Sequence, residues 1–151
     1  MTTRHKVTTL YFEDVQVGLA AAQIEKHPNE VELFMFSAIT WDTHRTHWDI
    51  PYAVEKEKLP GMLVHGHLQG AWLAELMTDW IGSTGKLMKI EYRNRAMSIQ
   101  GDRLTVKGKV TEKQDGAPGR GLVMCEVWIE KHTGEVTTSG TTTVDLPKRG
   151  R

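Results

Sequence analysis

The densest run of ionisable side chains in the sequence is Asp42-Thr43-His44-Arg45-Thr46-His47-Trp48-Asp49. Asp42 and His47, an acid and an imidazole five residues apart on an irregular loop, can converge on one water. Adding that water across a conjugated carbon–carbon double bond needs such a pair: a proton leaves the water as its oxygen attacks, and a proton must reach the neighbouring carbon. The charge that builds on the carbonyl oxygen needs fixed donors, which the free N–H groups of a helix start supply. Gly66, at the entry to the most apolar helical run, leaves room for a substrate to come close to such a start. Taken singly, each residue has an ordinary role. Loop aspartates mostly form turns, and a loop histidine can be a hydrogen-bonded packing residue.

Other polar residues near this run carry competing readings. His44 with His47, and His65 with His67, could each offer two nitrogen ligands. Neither spacing matches a closed zinc site and no Cys lies nearby, so neither a metal nor a cofactor is expected. His65 is expected to brace the loop against the helix start and to border the substrate. His67 falls either on an exposed first turn or at the mouth of the site, and the role of His44 is open. Arg45 and Arg93 have the forked geometry that suits phosphate, with surface ion pairing as the alternative. Tyr52 could reach a substrate with its hydroxyl or simply pack. Asp49 is expected to anchor the turn that follows it through backbone N–H groups.

The elements that must hold these residues follow from patterning. HLQGAWLAELMTDWI is the strongest helix, stopped by Gly82. Leu68, Ala71, Trp72, Leu73, Leu76, Met77, Trp80 and Ile81 cover most of its circumference, so it must be wrapped on several sides. Trp72, Met77 and Trp80 are read as core rather than as the lining of an acyl tunnel. A first strand is expected over 20–26, ended by His27-Pro28-Asn29. Residues 29–40 carry both strand alternation and an Asn29/Glu32 capping signal; the helix is preferred, with Leu33, Phe34, Phe36 and Ile39 near one face. Residues 41–66 read as an ordered functional loop anchored by Trp41, Trp48 and Pro51-Tyr52. LMKIEYRNRAM, DRLTVKGKVTEKQ, LVMCEVWIEKH and EVTTSGTTTVDL have period-two patterning, with Leu104, Val106 and Val110 on one face and Val123, Cys125, Val127 and Ile129 on another. Hairpin turns fall at Asp115-Gly116 and at residues 132–135. The picture is α+β: a central helix with an antiparallel meander curved around it, a hot-dog.

Composition narrows the partners. The 151 residues suit one domain, read as spanning 1–151, and 39% hydrophobic with 25% charged residues is an ordinary soluble balance. Nineteen basic against nineteen acidic side chains leave no net charge, so no global field favours nucleic acid or membrane. No apolar run is long enough to span a bilayer, and the polar opening MTTRHKVTT does not read as a signal peptide. The lone Cys125 cannot form an internal disulfide; a cytoplasmic setting is expected. The basic tail PKRGR reads as a frayed end.

The runs SAITWDTHRTHWDIPYA and GMLVHGHLQGAWLAELM resemble MaoC-like (R)-specific enoyl-CoA hydratases and 3-hydroxyacyl dehydratases. That family's signature has an Asp, four residues, a His followed by x-Asp, later an Ala, and finally His-Gly opening the central helix. Asp42, His47, Asp49, Ala53, His65 and Gly66 fall on those positions in order, and FEDVQVG and GDRLTVKGKV also resemble the family. The usual Asn-Pro between the acid and the histidine is His44-Arg45 here. That pair is more similar to the branch of mesaconyl-CoA hydratases and mitochondrial-type 3-hydroxyacyl-thioester dehydratases, where the acid position is often Asn; Asp42 keeps the acid.

The resemblance implies a hot-dog fold and reversible hydration of a trans-2-enoyl thioester to a 3-hydroxyacyl thioester. The handle would be coenzyme A or an acyl carrier protein. Asp42 and His47 would be the catalytic dyad, and the Gly66 N–H would polarise the carbonyl. Open sheet edges are a liability, so a homodimer with a continuous sheet, or a higher homo-oligomer, is expected. Two other readings stand beside it. A hot-dog acyl-thioesterase would use a carboxylate on the central helix, where Glu75 lies without an evident partner. A non-catalytic acyl-binding subunit would serve a hetero-oligomeric hydratase.

Overall fold

A computed structural model describes residues 9–21 and 23–150. The long helix, here α2, runs Gly66–Ile81 and ends at Gly82. It packs against four strands of one antiparallel sheet. The strands are β1 (Ile24–Lys26), β2 (Lys86–Asn94), β3 (Leu104–Asp115), β4 (Arg120–Lys131) and β5 (Val136–Pro147), in the order β1-β3-β4-β5-β2. This is the expected hot-dog: a helix seated in the concave face of a sheet.

The sheet is not a simple meander. Only β3, β4 and β5 follow one another as hairpins; β2 skips β3 and pairs with β5 at the far edge. A meander would have placed β2 beside β3. Instead β2 lies directly over the start of α2, which matters for the site. The first strand is also shorter than expected. Of residues 20–26, Ile24–Lys26 form the ladder, and Ala20 makes only an isolated bridge to Lys109.

Period-two patterning sets the core. Leu104, Val106 and Val110 from β3 and Val123, Cys125, Val127 and Ile129 from β4 are all buried on the face toward α2. They meet Leu68, Trp72, Leu73, Leu76, Met77 and Ile81. Burying a side chain of this size stabilises the fold by roughly 1.5–3 kcal/mol. Cys125 belongs to this layer, and burial pushes its thiol up to about 11, so it is unreactive. The wrapping of α2 has one open side, for Ala71 is exposed.

Two glycines let β2 approach α2. A Cβ on Gly70 would lie 2.2 Å from the Tyr92 ring, and one on Gly66 would lie 2.1 Å from Asn94 Nδ2. One helical turn apart, they form a smooth stripe along which β2 is laid. Across the same strand, Gly140 of β5 pairs with Tyr92, and a Cβ there would lie 2.1 Å from the Glu91 carbonyl.

The helix α1 spans Glu30–Thr40, with the Asn29 side chain accepting from Glu32 N–H as the capping signal predicts. Its apolar face is not where spacing put it. Leu33 enters the core, while Phe34 and Ile39 are exposed, Ile39 at 77%. The loop 41–66 is ordered by short helical turns at Arg45–His47 and Tyr52–Lys56. Its buried residues are Thr46, Ala53, Met62, Val64 and His65; Trp41 and Trp48, expected as anchors, are exposed, Trp41 at 84%. The basic tail is tied down through Lys148 to Asp115 and Arg149 to Asp14, rather than frayed. The expectation about the opening segment falls on residues 1–8, outside the described residues. No helix among the described residues is long and apolar enough to cross a membrane.

Candidate active site

Asp42 is aimed by the end of α1. Trp41 takes a left-handed conformation (φ 58°), which costs a non-glycine residue about 1–2 kcal/mol. The turn lets both the Trp41 and the Asp42 N–H groups donate to the Ser37 carbonyl. Asp42 Oδ1 then accepts from the His44 N–H, which leaves Oδ2 for other partners.

His47 is aimed by the approach to α2. Leu63 N–H donates to the Thr46 carbonyl, and His47 Nδ1 donates to the Leu63 carbonyl at 2.7 Å. A carbonyl can only accept, so Nδ1 carries the proton and the neutral ring offers its lone pair at Nε2. Nε2 stands 3.8 Å from Asp42 Oδ2. That is too long for a hydrogen bond and suits two groups addressing one small molecule between them. The His47 side chain is 12% exposed and that of Asp42 38%, so the pair opens to solvent on one side.

His65 stands behind His47. The rings stack at 3.9 Å between centroids, with the planes inclined by 18°. His65 is 2% exposed, its Nε2 is 2.8 Å from Ser37 Oγ, and the Phe36 ring meets its edge. Burial, reinforced by the positive charge His47 can carry, holds the imidazole neutral and pushes it down to about 4. His65 thus links the loop to α1 and to the start of α2, with its ring enclosed. Ser37 ties both halves together: its carbonyl holds Asp42 and its hydroxyl meets the ring that backs His47.

Donor atoms of Asp42, His47 and His65 all lie within 4.8 Å of one another. Imidazole donates to a metal in the plane of its ring, at roughly 2.0–2.1 Å for zinc. Two stacked planes inclined by 18° intersect only on the order of 10 Å away, so no ion can satisfy both rings. The trio suits proton chemistry better than metal binding.

The structure brings Asp42, His47, His65 and the start of α2 together and leaves the other expected residues apart. Arg45 donates twice to Asp49 and lies over the Tyr52 ring; the Tyr52 hydroxyl donates to Glu57. Asp49 also accepts from the Tyr52 N–H, the expected turn anchor, and Arg45 holds its carboxyl below the usual range. Arg93 is exposed, on the sheet face opposite Tyr92 and Asn94, which meet α2. Strand alternation turns it away from the site, and Arg95, just past the end of β2, lines the cavity instead. Glu75 has a partner after all, Lys26 Nζ at 2.6 Å. His44 meets the His47 ring edge-on and bonds Thr46; His67 is exposed on the first turn of α2.

Two cavities flank the cluster. One of about 270 Å³ is bordered by Gly66, Gln69, Asn94 and Arg95; one of about 180 Å³ by Phe34, Trp41, Asp42 and Trp48. Asn94, Gln69 and Ser37 were not legible as site residues. The only hint for Asn94 was a polar residue at an inward strand position.

The family model for hydroxyacyl-thioester dehydratase type 2 matches residues 13–100, more than half of the chain, and the chain belongs to that family. Membership of that family makes it an enzyme of the hydro-lyase class, and its fold is shared with a solved MaoC-like dehydratase of Rhodospirillum rubrum, with a TM-score of 0.79 at 21% identity, covering 94% of this chain and 99% of that one. An (R)-specific enoyl-CoA hydratase of Rhodospirillum rubrum is 25% identical over 150 residues, covering 93% of this chain and 94% of that protein. A mesaconyl-C(4)-CoA hydratase of Chloroflexus aurantiacus is 49% identical over 49 residues, 32% of this chain and 18% of that protein, so the match spans less than a fifth of its length. The solved R-hydratase of Pseudomonas aeruginosa shares the fold, with a TM-score of 0.81 at 23% identity, covering 93% of this chain and 88% of that one.

Proposed function

We propose that this chain hydrates trans-2-enoyl thioesters reversibly, with Asp42 and His47 as its acid–base pair. The observation that carries the reading is the arrangement of the pair. His47 is fixed through Nδ1, and its Nε2 and Asp42 Oδ2 stand 3.8 Å apart, addressing a common point. Water held there donates one hydrogen bond to Asp42 Oδ2 and another to His47 Nε2. As the oxygen bonds to C3, Nε2 takes its proton, the double-bond electrons move toward the carbonyl, and charge gathers on the thioester oxygen. The Gly66 N–H, at the first position of α2 and without a partner among the described residues, receives that charge. The proton on Nε2 then passes to C2, so that the elements of water are added and the pair is restored.

In this reading the thioester handle lies along the cavity holding Gly66 and Arg95, with Arg95 in the phosphate role that the forked guanidinium had suggested for Arg93. Arg45 and Tyr52 keep their mutual contact at the rim. The acyl part faces the cavity walled by Phe34, Trp41 and Trp48. The Lys26–Glu75 ion pair counts against a thioesterase that would use Glu75. A single domain, working in the cytoplasm as a homodimer paired through its sheet edge, completes the proposal, with coenzyme A or an acyl carrier protein as the handle.

A series of 2-enoyl-CoA substrates of graded size, followed at the absorbance of the conjugated thioester, tests this directly. Loss of absorbance without release of free thiol supports hydration. Thiol release, or no reaction across the series, refutes it.

A further inference from the structure

We propose that the side-chain amide of Asn94 is a second donor to the thioester oxygen, beside the Gly66 N–H. This deepens the hydratase reading and rests on it. Asn94 ends β2 directly opposite Thr138 of β5. Its Oδ1 accepts from Thr138 Oγ1 at 3.0 Å. Gln69 Oε1 lies 3.1 Å from Ser98 Oγ, 3.1 Å from Thr137 Oγ1 and 2.9 Å from Thr138 Oγ1. In the proposed arrangement Ser98 and Thr137 fill the two lone pairs of that amide oxygen, and the single proton of Thr138 goes to Asn94.

With Oδ1 held on the sheet side, the amide nitrogen faces the helix. Nδ2 sits 2.1 Å from the point a Cβ would occupy at Gly66, in direct contact with the first residue of α2. Among the described residues no group accepts a hydrogen bond from it. Gly66 and Asn94 border the same 270 Å³ cavity. Two kinds of N–H, one from the backbone at a helix start and one from an amide braced by Thr138, are thus presented side by side. Paired donors of this sort stabilise charge that develops on an oxygen, and they are worth most when fixed before the reaction begins. Gly66 has a second reason to be glycine: any side chain would push this amide away.

Asn94→Ala removes the donor. Asn94→Asp keeps the size and the bond from Thr138 but replaces the donor with a negative charge. Both are expected to lower kcat for crotonyl-CoA hydration by roughly 10²–10³-fold, the range for losing one such donor; the pH profile of Asn94→Ala should be unchanged, since it adds no charge and does not touch the proton-carrying pair. A second readout does not need turnover. In the His47→Ala background, the carbonyl stretch of bound crotonyl-CoA should shift less to low frequency when Asn94→Ala is added. Hydration by both Asn94 variants within twofold of wild type, with the carbonyl shift unmoved, overturns the proposal and leaves the hydratase reading standing. A wild-type protein with no hydration to lose overturns both.

Discussion

The buried imidazole of His65 makes stability depend on pH in a way that one substitution can isolate. Its pKa is carried from 6.5 down to about 4, chiefly by burial. In the unfolded chain the ring takes a proton below about pH 6.5; in the folded protein it does not until about pH 4. Between those values the unfolded state binds the extra proton, so stability falls as pH falls. At roughly 1.4 kcal/mol per pH unit the full effect is about 3 kcal/mol, a large share of the roughly 5–15 kcal/mol that holds a typical domain together. Between pH 7.5 and pH 5.0 the loss from this residue alone is about 2 kcal/mol. His65→Leu cannot titrate. Urea unfolding at the two pH values, on wild type and variant, separates this contribution from that of all other groups. The wild type should lose about 2 kcal/mol more than His65→Leu over that interval. Equal losses would refute the claim that the fold keeps this ring neutral.

Three further outcomes follow from particular contacts. Gly66→Ala places a methyl where Asn94 Nδ2 now sits; because Asn94 can swing away, the melting temperature should change little while crotonyl-CoA hydration falls at least tenfold. Glu75→Gln breaks a half-exposed ion pair with Lys26, so hydration should stay within twofold, no free thiol should appear, and stability should drop by about 0–1 kcal/mol by thermal or urea unfolding. Leu73→Ala empties a fully buried site under the sheet and should cost about 2–5 kcal/mol by urea unfolding, with the kcat of the folded fraction unchanged.

Much of the architecture was readable because its causes are local. The apolar circumference of α2, the Asn29 cap and the alternation of β3 and β4 each depend on residues close in sequence. Asp42 and His47 lie five residues apart on one loop, but what marked them as a pair was the family spacing together with His65-Gly66 at the helix entry. What was hidden depends on long-range placement. Alternation puts Arg93 and Asn94 on opposite faces of β2 but does not say which strand it joins; the pairing with β5 rather than β3 accompanies the approach of Asn94 to Gly66. Trp41 looked like an anchor because large aromatics usually are buried, yet its left-handed backbone, which aims Asp42, leaves the ring in solvent. Likewise, the spacing of Phe34 and Ile39 suggests an inward face, but α1 buries Leu33 fully and Phe36 in part, and leaves Phe34 and Ile39 exposed.

The central claim is that Asp42 and His47 act as one proton-transfer unit. Asp42→Asn, His47→Ala and the double variant, assayed side by side with wild type for hydration of crotonyl-CoA, test it most directly. Each single change should lower kcat by roughly 10²–10⁴-fold, the usual contribution of such catalysis. The double variant should be scarcely slower than the worse single one, because parts of one unit do not contribute additively. Hydration at the wild-type rate by either single variant would contradict the account.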